Sequence, residues 1–557
     1  MSVDVKTAPD GAPATGAPIV IDGNTLTLED LHAVAVEEND VALRDESLRL
    51  MAGSRELKVD LVAEGHAIYG VTTGFGDSVI RQIAPVKSAE LQHNLIRYHM
   101  NGTGPSTPPD VVRATLLIRA NCLAKGNSGV RPEVVARLVD QLNLGILPRL
   151  PQRGSLGASG DLVPLCHLAA SLLAEGDVTY DGRLRPAGDV LAEVGLAPLT
   201  LEAKEGLALI NGTSFSSAFA ALACLGATRL VRIAELSTAM ASEALLGNRG
   251  HFAEFIHQAK PHPGQVASAR EVARLLTDSK LALDHSQVIE LTGGLGGEEY
   301  AELKRSIQDR YSVRCAPHVV GVLRDTLDWA RRWVEIEINS SNDNPLFDVA
   351  AREVHSGGNF YGGHVAQAMD SLKVAVANIA DLLDRQLELV VDEKFNNGLT
   401  PNLIPRHAPT DWRAGLHHGF KGMQIACSSI TAEALKTSTP ASVFSRSSEA
   451  HNQDKVSMSA IAARDAFQVV SMAEEVAAIH LLALCQALDL RGTAQASSRT
   501  RAAHALIRER VPFVEDDRAM ESDIHAVVEL IRSGALISVT SPAAPAANGH
   551  HGHGDAR

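Results

Sequence analysis

Between residues 153 and 165 the chain reads RGSLGASGDLVPL, a run of small residues in a sequence otherwise rich in Leu and Ala. Ala158-Ser159-Gly160 has the residue types for a backbone condensation. The Gly160 nitrogen can attack the Ala158 carbonyl carbon, and loss of water closes a five-membered ring. Loss of the Ser159 hydroxyl leaves an exocyclic double bond. Glycine is the least hindered nucleophile and tolerates the sharp backbone geometry. A small residue at 158 keeps the ring uncrowded, and Asp161 is placed to assist proton transfers. The product is a methylidene-imidazolone, a strong electrophile. The same residues also fit a plain helix start, with Ser159 or Asp161 as N-cap and Pro164 in the first turn.

The elements that must hold such a loop read as helices. From Val365 to Val390 apolar residues fall at Val365, Met369, Leu372, Val376, Ile379, Leu383, Leu387 and Val390. These steps of three and four mark one helical face. Leu323, Leu327, Ala330 and Val334 mark another. Residues 206–247 and 459–490 are apolar on more than one face, as in helices buried among helices. Strand signals are few: a hairpin is expected over 19–28 around Asp22-Gly23, and another over 176–191 turning at Asp181-Gly182. The Gly-rich LTGGLGGEEY (291–300) lacks the ending of a phosphate loop and reads as a mobile lid. The expected fold class is mainly α with a few short N-terminal strands. The expected layout is one helical unit over 19–535, its N-terminal part to about 205 carrying the small-residue loop, between disordered tails at 1–18 and 541–557.

Composition narrows the function. A formal net charge of −15 speaks against a nucleic-acid partner, and an anionic substrate would need a local cation. The six cysteines are scattered without a CxxC pair and read as buried free thiols, as in a reducing cytoplasm. No signal-peptide pattern opens the chain, and no run of 18 apolar residues implies a membrane span. The 22 histidines show no HExxH and no clustering at ligand spacing, so no metal is expected.

GSLGASGDLVPLCHLA (154–169) resembles the signature of the aromatic amino acid ammonia-lyases and aminomutases. Further blocks match in order: YGVTTGFG (69–76), LALINGTS (207–214), QDRYSVRCAP (308–317), NSSNDNPLF (339–347), GGNFYGG (357–363) and NQDKVSM (452–458). The resemblance implies a fumarase/aspartase-like long-helix bundle, a homotetramer with each site built from three subunits, and loss of ammonia across the Cα–Cβ bond of an aromatic amino acid. It implies the methylidene-imidazolone of Ala158, Ser159 and Gly160 as prosthetic group, with no metal and no dissociable cofactor. Tyr69 matches the general base; a phenol with a pKa of about 10 must then be deprotonated by its surroundings. Arg314 matches the residue that grips the substrate carboxylate through its planar fork. Tyr311 matches a tyrosine near the amine and the electrophile, and Gln308 a substrate-binding glutamine. Asn211 and Leu207 come from the LALINGTS block, Asn211 bonding the substrate or the prosthetic group. Phe360 would pack by the electrophile, and Glu449 and Gln453 match positions near the amine. Read alone, Asn211 also suits a buried helix cap, Phe360 a core residue, and Glu449 and Gln453 helix bridges.

The ring-facing pair of this family aligns as Tyr98-His99 in LQHNLIRYHMNGTG (91–104). Phe-Leu there goes with phenylalanine, His-Leu with tyrosine, and Ser-His with histidine and some tyrosine enzymes. A polar His99 disfavours a bare phenyl ring. Gln453 stands where histidine lyases carry an acid. The substrate expected is therefore L-tyrosine, giving 4-coumarate. The alternatives are an aminomutase forming a β-amino acid, or a histidine or phenylalanine ammonia-lyase.

Overall fold

The computed structural model describes residues 17–541. The expected tails therefore lie outside the described residues, apart from 17, 18 and 541 themselves. The chain is mostly helical, as the periodicity predicts. It divides into two compact units. The first comprises the chain to Ala227, Asp325–Ala377 and Ala434–Ser471; the second comprises Thr228–Arg324, Asn378–Glu433 and the chain from Met472.

The helix Gly363–Val391 contains the predicted stripe. All eight of its apolar positions, Val365 to Val390, are fully buried. At about 1.5 Å per residue the helix is roughly 40 Å long. Leu323, Leu327, Ala330 and Val334 are buried on Ala316–Ile338. Two helices, Ser214–Ala244 and Ser459–Arg491, are long and apolar enough to cross a membrane, yet most of each is buried inside the protein. This is the outcome expected of segments apolar on several faces.

The strands are short. Asp177–Tyr180 and Arg183–Pro186 form the predicted antiparallel hairpin. The other hairpin does not form. Ile19–Ile21 pairs in parallel with Val41–Leu43, across the helix Leu28–Ala35. Thr27 and Asp30 form a capping box that starts this helix and turns the chain away from a hairpin. Strands are not confined to the N-terminal part, since Leu346–Asp348 pairs with Glu353–His355.

Within the first unit the helix Pro109–Ala124 is almost wholly buried, including Arg119 and Asn121. Arg119 donates to the Asn211 carbonyl (3.1 Å) and to Asn342 Oδ1 (3.1 Å), joining three distant segments. In the second unit Arg324 pairs with both oxygens of buried Glu235 at 2.8 Å. None of the six cysteines forms a disulfide among the described residues, and five are buried; Cys315 is half-buried.

Because Leu372 is fully buried at the centre of its stripe, Leu372→Ala is expected to cost about 2–5 kcal/mol. A lowered midpoint in thermal unfolding, with the far-ultraviolet spectrum unchanged before the transition, checks this.

Candidate active site

The tripeptide loop joins the strand Pro151–Arg153 to the helix Val163–Leu172. Pro164 is in the first helical turn, as predicted, but neither Ser159 nor Asp161 is the N-cap. That place falls to Leu162, which makes no side-chain cap bond. Asp161 instead accepts from the Ser216 amide (2.8 Å) and hydroxyl (3.2 Å), near the start of Ser214–Ala244. It is fully buried, and its other oxygen has no hydrogen-bond partner among the described residues. Burial pushes its carboxyl up to about 7, against the bonds from Ser216.

Gly160 has a φ of 76° and lies against Gly212, where a β-carbon would meet the Gly212 carbonyl oxygen at 2.2 Å. The Asp161 amide donates to that same carbonyl (2.7 Å). On the other side, the Gly157 carbonyl accepts from the Ser457 amide (3.2 Å) and hydroxyl (3.0 Å). Ser159 is gripped at two atoms. Asn211 Nδ2 donates to its carbonyl (2.6 Å), and Gln453 Nε2 to its hydroxyl (3.3 Å). The tight glycine contact, the Ser159 hydroxyl held by Gln453 and the unpartnered Asp161 oxygen suit a methylidene-imidazolone at 158–160.

Ser159 faces a cavity of about 520 Å³ formed entirely by residues of the first unit. The cavity gathers Tyr69, Tyr98, His99, Ala158, Ser159, Leu207, Asn211, Phe360, Glu449 and Gln453 from the predicted site. Phe75, Val79, Leu95, Asn344, Asn452 and Lys455 also line it. Phe75, Asn344, Asn452 and Lys455 lie in the motif blocks and were open to inference. Val79 and Leu95 carry no chemical signal in sequence. Gly160 is not among the lining residues.

The Tyr69 phenol oxygen accepts from the Gly76 amide at 3.0 Å. The next amide, of Asp77, donates to Glu449 at 2.9 Å. Burial raises the Tyr69 pKa above its ordinary value; the Gly76 amide lowers it, and the Glu449 charge adds to the rise. Glu449, Ala450 and His451 all have left-handed backbones, with φ of 50°, 50° and 64°. A turn of this kind costs conformational energy, and here it presents Glu449 to the Asp77 amide. Tyr98 and His99 stack with ring centroids 4.3 Å apart. His99 Nδ1 lies 2.9 Å from the Leu95 carbonyl oxygen. A carbonyl only accepts, so Nδ1 carries the proton and Nε2 keeps its lone pair in the neutral ring. Burial lowers the His99 pKa, which favours that neutral form.

Gln308, Tyr311 and Arg314 belong to the second unit and are not among the residues lining this cavity. They form a cluster of their own. Arg314 donates to Gln308 Oε1 (2.7 Å) and its guanidinium lies 4.4 Å from the Tyr311 ring centroid. Tyr311 is 71% exposed, so the cluster opens to solvent. The glycine-rich segment after the helix His285–Thr292 also lies in the second unit and lines no part of the cavity.

His407, His417 and Asp516 of the second unit do approach one another, with potential ligand atoms within 4.8 Å. This histidine grouping is not visible in the sequence spacing. The Asp517 amide donates to His417 Nδ1 (3.1 Å), and His417 Nε2 lies 3.0 Å from an Asp516 carboxylate oxygen without a hydrogen bond to it.

A long-helix fold enclosing a small-residue loop, a phenol and a polar cavity defines a carbon–nitrogen lyase once relatives are compared. The family model "Aromatic amino acid lyase" matches residues 26–509. A histidine ammonia-lyase of Gloeobacter violaceus is 41% identical, covering 94% of this chain and 98% of its own. A tyrosine ammonia-lyase of Cupriavidus metallidurans is also 41% identical, over 94% and 97%. An MIO-dependent tyrosine 2,3-aminomutase of Streptomyces globisporus is 40% identical, over 93% and 96%. The crystal structure of the tyrosine aminomutase from that organism superposes with a TM-score of 0.89 at 38% identity, over 94% and 98%. The chain belongs to the aromatic amino acid lyase family.

A β-carbon at Gly76 would sit 2.0 Å from Glu449 Oε1, on a backbone with φ of 56°. Gly76→Ala must displace either Glu449 or the amide that holds Tyr69. We expect kcat to fall at least about tenfold, the cost of one misplaced bond at a reacting group. Steady-state kinetics on the folded variant checks this.

Proposed function

We propose that the protein eliminates ammonia from an aromatic L-amino acid, with L-tyrosine as the substrate and 4-coumarate as the product. The observation that carries this reading is the convergence of Ser159 and the Tyr69 phenol on one cavity. In the reading, the Gly160 nitrogen bonds to the Ala158 carbonyl carbon, whose oxygen leaves as water with the amide protons of Ser159 and Gly160. The Ser159 hydroxyl leaves with its Cα proton as a second water. The methylidene-imidazolone so formed supplies an electrophile for the substrate.

The side chains divide the remaining work. Tyr69 takes the proton from the substrate β-carbon. Its phenol is held above the ordinary value by burial and Glu449, so the Gly76 amide alone does not produce the phenolate. A cation near the phenol favours its ionisation: Lys455 lines the same cavity, and the substrate ammonium and an arginine add to that charge. Arg314, with Gln308 and Tyr311, is offered on an exposed surface suited to completing a site in another subunit of a homotetramer. Asn211 and Gln453 hold Ser159; Phe360, Leu207 and Leu95 exclude water from the reacting face. His99 Nε2 is an acceptor without an assigned donor, which suits the hydroxyl of a phenol. A tyrosine lyase and a histidine lyase stand among the relatives at equal identity, so the choice of tyrosine rests on His99. A 2,3-aminomutase would use the same electrophile and base, and the relative of that name keeps it as the second reading. The site is expected in the cytoplasm, independent of membrane and nucleic acid.

The test is incubation with tyrosine, phenylalanine and histidine separately, followed by the ultraviolet absorbance of the conjugated acrylate and by chromatography for β-amino acids. Conjugated product from tyrosine is expected. No acrylate from any of the three rejects the lyase reading, and a β-amino acid replaces it with the mutase. Ser159→Ala should abolish turnover without unfolding. His99→Leu should lower kcat/KM for tyrosine by about 10–100-fold while raising the relative preference for phenylalanine. Because Tyr69 acts deprotonated and its pKa is raised, kcat/KM should climb with pH above neutrality and fall in acid. A profile that is flat from neutral to alkaline pH contradicts the assignment of the base.

A further inference from the structure

The helix Glu205–Ile210 is only six residues long, and both its ends are tied to one dipeptide. At its start, Lys204 is fully buried and its Nζ lies 2.6 Å from Asp343 Oδ2, which is equally buried. Asp343 Oδ1 accepts from the Ser128 hydroxyl at 2.8 Å. At its end, Asn211 Oδ1 accepts from the amide of Asn344, the residue after Asp343, at 2.8 Å. The same Asn211 side chain donates to the Ser159 carbonyl.

Lys204 has a left-handed backbone, with φ of 79°. Glycine takes that conformation without penalty, whereas a β-carbon disfavours it. Burying an ammonium adds a second cost. A lysine here serves no capping purpose, since it makes no side-chain cap bond to the helix it precedes. What it does make is the bond to Asp343.

We infer that the Lys204–Asp343 ion pair is a positioning device that fixes the register between this helix and residues 343–344, and so delivers the Asn211 amide onto the Ser159 carbonyl. This rests on the reading of Ser159 given above. The Ser159 carbonyl survives the condensation as the ring carbonyl. A donor on it acidifies the adjacent Cα–H, the proton that departs with the hydroxyl, and afterwards keeps the ring electron-poor. Lys204 and Asp343 touch neither substrate nor ring, and act through Asn211 alone.

The experiment compares the wild-type enzyme with Lys204→Met, Lys204→Met/Asp343→Asn and Asn211→Ala. Lys204→Met strands a buried carboxylate and is prone to unfold. The double variant is neutral, close in volume, and keeps an acceptor for Ser128. Intact mass reads the two lost waters; circular dichroism reads the fold; kcat and KM are measured on matured material. The double variant should be folded but lose its waters at least about tenfold more slowly, the effect expected of one misplaced hydrogen bond. Its matured fraction should show a similar drop in kcat with KM unchanged. Asn211→Ala should show the same maturation defect. A folded double variant with full water loss and wild-type kcat overturns the proposal, and so does failure of the double variant to fold, which would make the pair structural. Wild-type enzyme at its full unmodified mass would instead defeat the underlying reading of Ser159, a distinct result.

Discussion

The arrangement of the cavity depends on a contact between two backbones. Gly160 lies so close to Gly212 that a β-carbon at Gly160 would meet the Gly212 backbone at 2.2 Å, and a β-carbon at Gly212 would meet the Arg119 guanidinium at 2.2 Å. This contact fixes the loop relative to the turn that carries Asn211 and begins the helix Ser214–Ala244. Asn211 can then reach the Ser159 carbonyl, and Asp161 can reach Ser216. Arg119 stabilises the same turn from beneath, through the Asn211 carbonyl. Charged and polar groups this deep are costly unless each is bonded, and the bonds here converge on the few atoms around the tripeptide.

The Tyr69 side of the cavity is built differently. Two consecutive amides of a short turn are shared out, one to the phenol and one to Glu449. Glu449 is held there by a backbone with three successive left-handed residues. The phenol is thus oriented by a neutral donor while burial and a nearby carboxylate oppose its ionisation. Orientation is provided within this unit, where Lys455 also lines the cavity. The exposed Gln308–Tyr311–Arg314 cluster of the second unit holds its guanidinium between a glutamine oxygen and a phenol ring.

Much of this was legible in the sequence because its signals are local. The stripe from Val365 to Val390 is a one-dimensional pattern, and every member is buried. The Asp181-Gly182 turn is likewise local, and its hairpin forms. The residues of the cavity were legible through the ordered motif blocks. What could not be read depends on pairing across distance. Ile19–Ile21 finds its partner beyond a helix, in place of the adjacent segment. Asp161 serves a helix more than fifty residues away, not its own. Val79 and Leu95 have apolar side chains that in a sequence are indistinguishable from core. The proton position on His99 follows from one carbonyl, that of Leu95, which no pattern announces. The approach of His407 to His417 and Asp516 is equally a product of folding.

The bond from Ser457 to the Gly157 carbonyl spans 300 residues of chain. The Ser159 hydroxyl waits on Gln453, 294 residues downstream. While the polypeptide is being synthesised, the small-residue stretch emerges long before either partner exists. Its full restraining geometry becomes available only after most of the translation product has been made and packed.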